Sequence, residues 1–561
     1  MTETDSSSNE KSGQSMAARI SWGALIVVTL AVCYFSNLGV IGFVGPDEPR
    51  YAWIARDMAE TGDWVTPRLY GKPWFEKPVL YYWMGGASFK LFGVSEAAAR
   101  LPSALSALFA TLALAWLAWR VYGEETARWL LLLLPTSVGM IGFSHAAATD
   151  MPFSGMLTIA MVCAAVVLGL TRDENTPVLP HTPWLALFLF GFFLGLAVLS
   201  KGPAAIILSG GAVFCWALIT KRWSNAFRLL HPVAIVSFCA TALPWYILCA
   251  RRNPDFFRIF IVEHNFKRYL TPEFQHIQPF WYYVPVLLVA FLPWSAALLW
   301  AAFASGRRLV DSHKIWPLSL YLFAWAGFCL LFFSTSHSKL PGYILPAFPA
   351  IAALLSASLA GATNRKGLRY VLAGFSVLLF LGLIPLRMAL HETSRIWPLV
   401  FYCYAAVLLA LACANFALAM SEFFQTNPVA RLTLRSLAVF SILLPVILAG
   451  PLSRGVIVWD PSGRALANEL GSRGVPLDTL FIRSMNRGQL YSLNFYLRRE
   501  VPTVEHDELR EGTILLRSAM CKRLANNQWE TRDLPFDSQR TGWFLCEVKR
   551  RASAGEIAAG R

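Results

Sequence analysis

Two acids, an arginine and a tyrosine lie within five positions directly after the first long apolar segment of the sequence. The motif reads DEPRY from Asp47 to Tyr51 and follows an apolar run over about residues 20–44, which is long enough to cross a bilayer. A second polar cluster, Glu76-Lys77-Pro78, follows in the same connector. Charges this close to a membrane exit either belong to a solvated loop or form the rim of a site that handles charged lipid.

The composition indicates a polytopic membrane protein. The chain has 561 residues, of which 56% are hydrophobic and 15% are charged, whereas a soluble protein carries roughly 25% charged residues. The formal net charge is +15, and on a membrane protein such an excess usually holds cytoplasmic loops against anionic lipid. No basic soluble domain or nucleic-acid-binding motif stands out, so we expect no nucleic-acid partner.

Apolar segments of spanning length predict about thirteen transmembrane helices. They begin near residues 20, 101, 129, 151, 184, 203, 229, 279, 315, 340, 370, 396 and 436. The connectors after the sixth, eighth, tenth and twelfth segments carry clustered basic residues: Lys221, Arg222, Arg228, Arg307, Arg308, Lys314, Arg365, Lys366, Arg369, Arg431 and Arg435. The positive-inside rule makes that side cytoplasmic. The first connector and the C-terminal segment then face outward.

The parts outside the membrane differ in character. We expect residues 1–19 to be a disordered cytoplasmic tail without signal-peptide features, and residues 20–453 to form the transmembrane domain. The connector over 45–100 predicts two interfacial helices, Asp47–Glu60 and Pro78–Val94. Residues 454–561 predict a small α/β domain, with helices over Pro461–Gly471 and Gln489–Arg498 and strands over Thr479–Arg483, Thr513–Leu516 and Trp543–Val548.

Cysteine usage fits this division. Eight of the ten cysteines lie in apolar segments, where they behave as small hydrophobic residues. Cys521 and Cys546 lie outside the membrane and could pair if that end faces an oxidising compartment.

Further polar residues are predicted on the same outer side as Asp47. They are Asp150 after the third segment, Lys201 after the fifth, Glu263, His264 and Arg268 before the eighth, and Lys339 and Tyr343 between the ninth and tenth. Each has a simpler explanation: a lysine at a helix end snorkels, Asp150 caps the next helix, and His264 is a surface histidine. Their coincidence on the outer face, where the positive-inside rule predicts few cations, instead suits a phosphate-bearing lipid.

The combination of motifs resembles a known family. Pro46-Asp47-Glu48-x-Arg50-Tyr51-Ala52, Phe75-Glu76-Lys77-Pro78, Val262-Glu263-His264, the FWYYVPV stretch from Phe280 and Lys339-Leu340-Pro341-x-Tyr343 look like the aminoarabinose transferases that modify lipid A. These are membrane glycosyltransferases of the GT-C fold, related to protein O-mannosyltransferases. The resemblance covers about residues 20–450, and the C-terminal domain departs from the enterobacterial pattern.

The resemblance implies an inverting, polyprenyl-phosphate-dependent pentosyltransferase in the bacterial inner membrane, active at the periplasmic face. It would move 4-amino-4-deoxy-L-arabinose from undecaprenyl phosphate to a phosphate of lipid A, which lowers affinity for polymyxin and other cationic peptides. We expect a monomer. The alternatives are a GT-C transferase with another acceptor, such as a protein hydroxyl, and a lipid transporter. Charges gathered at one membrane face argue against transport.

The residues allow a mechanism for such a transfer. Asp47 and Asp150 are the predicted catalytic acids, with Asp47 orienting the acceptor or the sugar and Asp150 binding the sugar amine. The predicted donor-phosphate ligands are Arg50, Tyr51, Lys77, Lys201, Arg268, Lys339 and Tyr343. Glu76 and His264 could ligate a divalent cation such as zinc if their loops meet. We expect no obligatory metal.

Overall fold

A computed structural model of the chain describes residues 20–171, 183–260, 263, 277–302, 317–361, 462–504, 511–516, 524, 529–536 and 543–550. Its elements in chain order are α1 (Ile20–Phe35), α2 (Asp47–Thr61), β1 (Arg68–Leu69), β2 (Lys72–Pro73), α3 (Leu80–Phe92), α4 (Glu96–Tyr122), α5 (Glu124–Leu133), α6 (Val138–Ser144), α7 (Asp150–Val167), α8 (Trp184–Lys201), α9 (Ala204–Thr220), α10 (Trp223–Phe227), α11 (Pro232–Arg252), α12 (Tyr283–Ala290), α13 (Pro317–Thr335), α14 (Phe348–Ala360), α15 (Arg464–Ser472), β3 (Leu480–Ile482), α16 (Arg487–Leu497), β4 (Gly512–Leu516), β5 (Trp529–Leu534) and β6 (Phe544–Arg550). Short 3-10 turns cover Arg228–Leu230, Phe280–Tyr282, Pro341–Ala347 and Leu477–Thr479.

The chain divides into two compact units. The first, which we call the helical unit, comprises Met1–Ser36, Trp74–Trp83 and Arg100–Gly450. The second, which we call the mixed unit, comprises Asn37–Pro73, Met84–Ala99 and Pro451–Arg561. Most of the first connector therefore groups with the C-terminal segment, which sequence reasoning did not anticipate.

Apolar helices of spanning length dominate the helical unit. Within the described residues, six helices are long and apolar enough to cross a membrane, or seven if the bent pair α5 and α6 forms one span. That pair bends by 63°. Pro135 lies in the break, where it cannot donate a backbone hydrogen bond. The ten apolar segments up to residue 361 each contain helix, while the last three predicted segments lie outside the described residues, so the count of thirteen stays a prediction.

Helix α8 is held tightly between α7 and α11. A Cβ atom on Gly191 would lie 2.1 Å from the backbone oxygen of Ala234, so the small residue permits close helix contact. The Ser237 hydroxyl donates to the Phe188 carbonyl at 2.8 Å, and the Tyr246 hydroxyl donates to the Val198 carbonyl at 3.1 Å. The first bond lies near the N-terminal end of α8 and the second lies near the C-terminal end, close to Lys201, so both ends of α8 are held against α11.

The mixed unit contains a four-stranded sheet of order β3-β4-β6-β5. Strands β3 and β4 are parallel, and the other two pairings are antiparallel. Side chains of α15 and α16 pack on one face of this sheet and bury a cluster that includes Leu470, Leu493 and Trp543. Helix α2, from the first connector, packs against α16.

The elements predicted in the first connector and the C-terminal segment match the structure closely, except that strands β1, β2 and β5 were not predicted. Helices α2, α3, α15 and α16 and strands β3, β4 and β6 coincide with predicted elements within a few residues at each end. Strand β5 was missed because it lies at the sheet edge with little buried surface, and its sequence WETRDL lacks an apolar face. Cys546 is disulfide-bonded, while its suggested partner Cys521 lies outside the described residues.

Candidate functional site

Asp150 and Lys201 form an ion pair within the helical unit. Asp150 is the first residue of α7 and Lys201 is the last residue of α8, so two helix ends supply the pair. The Lys201 Nζ atom lies 2.6 Å from Asp150 Oδ1, and the two side chains are 12% and 20% exposed. At this burial an unpaired charge is costly, so each group stabilises the position of the other.

Aromatic rings flank the same lysine. Its Nζ atom lies 5.4 Å from the ring centroid of Phe153 and 5.4 Å from that of Tyr343. Tyr343 belongs to the 3-10 turn Pro341–Ala347, and the Ser154 hydroxyl donates to the Leu345 carbonyl at 3.1 Å, which ties this turn to α7. The rings attract the ammonium without neutralising it.

Gly342 brings this turn close to the ion pair. A Cβ atom at that position would lie 2.6 Å from Asp150 Oδ1 and 2.9 Å from the Phe143 ring. Only glycine fits such an approach without displacing the carboxylate.

A second cation adds to the field at Asp150. The Lys77 ammonium interacts electrostatically with the Asp150 carboxylate. Two lysines therefore act electrostatically on this one acid. The neighbouring Thr149 hydroxyl is buried and has no hydrogen-bond partner among the described residues. Two cations with a hydroxyl nearby suit an anionic ligand.

Lys339 makes different contacts. Its ammonium donates to the carbonyls of Gln278 at 3.0 Å and Ser336 at 2.6 Å, and the residue is 6% exposed. A β-bridge between Ile277 and Ser338 joins the same two segments. Lys339 thus links the connector before Tyr343 to the backbone near residue 278.

The DEPRY motif builds a second cluster within the mixed unit. Asp47 opens α2, and its carboxylate accepts a hydrogen bond from the Arg50 guanidinium. Arg50 also donates to the Pro46 carbonyl at 2.7 Å and is 4% exposed, whereas the Asp47 side chain is 50% exposed. The Glu48 carboxylate accepts from the Val44 backbone nitrogen at 2.9 Å and so closes the turn into the helix. A buried arginine therefore presents an accessible carboxylate.

Seven of the predicted site residues fall into two clusters, one in each unit, whereas Lys339 makes the separate contacts given above. Asp150, Lys201, Tyr343 and Lys77 interact in the helical unit, and Asp47, Arg50 and Tyr51 share the first turns of α2 in the mixed unit. Arg268 and His264 lie outside the described residues, so neither the donor role of the first nor the metal role of the second is tested. Among the described residues no group of three or more His, Cys, Asp or Glu side chains is close enough to hold a metal ion.

Sequence reasoning missed Phe153, Gly342 and Tyr491. Phe153 reads as an ordinary apolar helix residue, and Gly342 reads as a turn glycine. Tyr491 lies in the C-terminal segment, yet its ring centroid is 5.4 Å from the Arg50 guanidinium carbon. Of these three residues, only Gly342 has a sequence signal, because the KLPGY motif places a glycine beside Tyr343.

Comparisons with known proteins agree on the class of membrane enzyme that this chain resembles. Residues 20–260 match the family model described as dolichyl-phosphate-mannose-protein mannosyltransferase. The undecaprenyl phosphate-alpha-4-amino-4-deoxy-L-arabinose arabinosyl transferase of Enterobacter sp. (strain 638) is 33% identical over 60% of this chain and 59% of its own length. The protein of the same name from Aeromonas salmonicida is 35% identical over 56% of this chain and 55% of its own length. The matches thus span less than two thirds of these relatives.

The architecture has a close counterpart among solved structures. The crystal structure of ArnT from Cupriavidus metallidurans bound to undecaprenyl phosphate covers 94% of this chain and 98% of its own, with a TM-score of 0.74 at 24% identity. The chain shares the GT-C fold of this structure and is similar in sequence, over part of its length, to the named arabinosyl transferases. This GT-C-fold protein is a multi-pass membrane protein, as its apolar helices require.

Proposed function

We propose that this protein transfers 4-amino-4-deoxy-L-arabinose from undecaprenyl phosphate to a phosphate group of lipid A. The reaction takes place at the periplasmic face of the bacterial inner membrane and confers resistance to polymyxin and other cationic antimicrobial peptides. The enzyme is an inverting pentosyltransferase that acts as a monomer.

The arrangement around Lys201 carries this proposal. Lys201 is anchored by Asp150, flanked by Tyr343 and joined by the charge of Lys77, which together suit the phosphate of a polyprenyl-phosphate donor. The named relatives act on an undecaprenyl-phosphate sugar, and the similar crystal structure holds undecaprenyl phosphate.

The chemistry needs charge stabilisation more than a strong base. A lipid A phosphate oxygen attacks the anomeric carbon, the bond from that carbon to the donor phosphate breaks, and undecaprenyl phosphate leaves with the electron pair. The acceptor phosphate is already anionic at neutral pH, so no general base has to remove a proton. Negative charge grows on the leaving phosphate, where Lys77, Tyr343 and the predicted ligand Arg268 stabilise it.

The two aspartates have separate roles. Asp47 has an accessible carboxylate held by a buried arginine, which suits orienting the acceptor or the sugar and stabilising positive charge at the ring. Asp150 is paired with Lys201, so its main role is to hold that ammonium, with the sugar amine as a further ligand only if Lys201 moves. Glu76 and His264 remain a predicted pair, and catalysis proceeds without an obligatory metal.

Mass spectrometry of lipid A tests the proposal directly. Lipid A from cells that express this chain should carry a mass increment of one amino-pentose on a phosphate, and lipid A from the deletion strain should lack it. Cells with an Asp47→Asn variant serve as the matched control. Equal lipid A spectra from all three strains, with the donor present, would disprove the proposed activity.

A second acceptor class is supported by the family model, whose name specifies transfer to protein. In that case Asp47 would have to act as the general base for a hydroxyl. Purified protein incubated with the donor and either lipid A or a serine- and threonine-containing peptide separates the two, because only the true acceptor gains the sugar.

A further inference from the structure

Arg50, in the first connector, contacts the C-terminal segment, and both belong to the mixed unit. On one side its guanidinium contacts the Asp47 carboxylate and the Pro46 carbonyl. On the other side its guanidinium carbon lies 5.4 Å from the ring centroid of Tyr491, on α16. The Arg487 guanidinium donates to the Tyr491 hydroxyl at 3.1 Å and fixes that ring in turn.

Helix α16 also holds the backbone that leads into Asp47. A Cβ atom on Gly488 would lie 2.9 Å from the carbonyl carbon of Gly45, so the two backbones nearly touch. The Ser492 hydroxyl donates to the Phe43 carbonyl at 2.9 Å, and the Phe43 backbone nitrogen donates to the Tyr496 hydroxyl at 3.1 Å. Successive turns of one helix thus contact the segment over 43–50.

The same helix anchors the next turn of α2. The Arg56 guanidinium donates to the Phe495 carbonyl at 2.9 Å and lies over the Phe495 ring at 4.6 Å. Arg56 is 4% exposed. Contacts from α16 therefore extend along the chain from Phe43, before the DEPRY motif, to Arg56, after it.

We propose that α16 positions the Asp47 carboxylate, through Gly488 against the preceding turn and through Tyr491 against Arg50. Tyr491 and Gly488 are positioning residues, and this role rests on the proposed transferase function of Asp47. The physical reason is that an arginine side chain has many rotamers, whereas a ring on one side and a carbonyl on the other restrict it to one. The C-terminal segment is on this view a component of the catalytic apparatus.

The kinetic test compares substitutions on α16 with matched substitutions elsewhere in the same unit. Tyr491→Leu removes the ring and should lower kcat about tenfold with little change in the donor KM, while Tyr491→Phe keeps the ring and should restore the rate. Phe536→Leu is the matched control, because Phe536 also lies near an arginine, Arg473, at 5.8 Å. Gly488→Ala should lower kcat, and its control Gly471→Ala should not, because a Cβ atom there meets open space.

A double-mutant comparison separates a positioning role of Tyr491 from a general effect of its substitution on stability. If Tyr491 acts through Arg50, the loss from Tyr491→Leu should be smaller in an Arg50→Lys background than in the wild type. Equal losses in both backgrounds, or equal losses from Tyr491→Leu and Phe536→Leu, would overturn the proposal.

Amide hydrogen exchange gives a readout that does not depend on the sugar. Tyr491→Leu and Gly488→Ala should speed exchange over residues 43–51 in the full-length protein, and the two controls should leave that segment unchanged. If the wild type transferred no aminoarabinose, the proposed function would fail, and exchange alone would decide the positioning. Unchanged exchange in both variants would overturn the positioning even if the enzyme were active.

Discussion

The ammonium of Lys201 lies 2.6 Å from the carboxylate of Asp150, so the last residue of one apolar helix is bonded to the first residue of another. Both helices are long and apolar enough to span a membrane. The pair therefore joins two helices at the same end and leaves the lysine beside the Tyr343 ring. Structural and binding roles of this pair can be separated by experiment.

Replacing one member of the Asp150–Lys201 pair should cost more stability than replacing both. Asp150→Asn or Lys201→Met alone leaves a partly buried charge without its partner, and each should lower the free energy of unfolding by on the order of 3 kcal/mol. The double variant should recover most of that loss. Thermal unfolding of the purified protein in detergent measures all three. A double variant whose loss equals the sum of the single losses would contradict the pairing.

Gly342→Ala should disturb the same pair from the other side. The added methyl group would overlap the Asp150 carboxylate and should cost on the order of 1–3 kcal/mol of stability as well as activity. Gly327→Ala on α13 is the matched control, because its Cβ atom would meet nothing within 4 Å. Wild-type stability and turnover in Gly342→Ala would contradict this expectation, because the turn would then accommodate the methyl group without cost.

Substitution of the proposed donor-phosphate ligands Lys77 and Tyr343 should affect donor binding more than acceptor binding. Lys77→Ala should raise the donor KM about tenfold, because it removes one charge-assisted contact. Tyr343→Phe should raise it less, since the ring that contacts Lys201 remains. Initial rates over a range of donor and lipid A concentrations measure both constants. A change confined to the lipid A KM would reassign these residues to the acceptor.

Asp47→Asn should abolish transfer while the protein stays folded. Loss of the carboxylate removes the group that orients the reacting partners, which we expect to cost at least about a hundredfold in rate. Survival of a deletion strain in polymyxin, at equal expression, reports this in cells. Glu60→Gln, an exposed acid on the same helix, should protect as the wild type does. Full protection by Asp47→Asn would remove this residue from the mechanism.

The mixed unit should lose stability in alkali. Burial, together with the charge of Glu96, raises the pKa of Tyr496 far above its usual value, so the folded state favours the neutral hydroxyl. That hydroxyl donates to Glu96 at 2.7 Å. Its contribution should be constant below pH of about 10, the usual tyrosine pKa, and decline above it. Tyr496→Phe should lower stability at neutral pH and show a smaller alkaline loss in thermal unfolding at pH 8 to 11.

Much of the fold could be predicted from local patterns. The apolar segments gave helices because membrane spans must satisfy their backbone internally, and the spacing of Tyr51, Ile54 and Met58 predicted α2 correctly. Strand β5 was not predicted, because it is a charged edge strand without a buried apolar face.

The clusters were only partly predictable, because pairing depends on packing. The connector count predicted that Asp150 and Lys201 lie at the same membrane face, but their contact depends on how α7 packs against α8, which no local pattern in the sequence shows. Tyr491 could not be connected with Arg50, because no local pattern links residues from opposite ends of a chain. Long-range contacts of this kind require the fold itself.

The mixed unit combines a segment made early in synthesis with one made last. Asn37–Pro73 leaves the ribosome long before α16 exists, and at about 5–20 residues per second the intervening chain takes tens of seconds to appear. During that interval Arg50 and Arg56 lack their aromatic contacts from α16. A nascent or truncated chain that ends before Arg487 would therefore carry the acidic motif without its contacts from α16, so these contacts form only when translation is nearly complete.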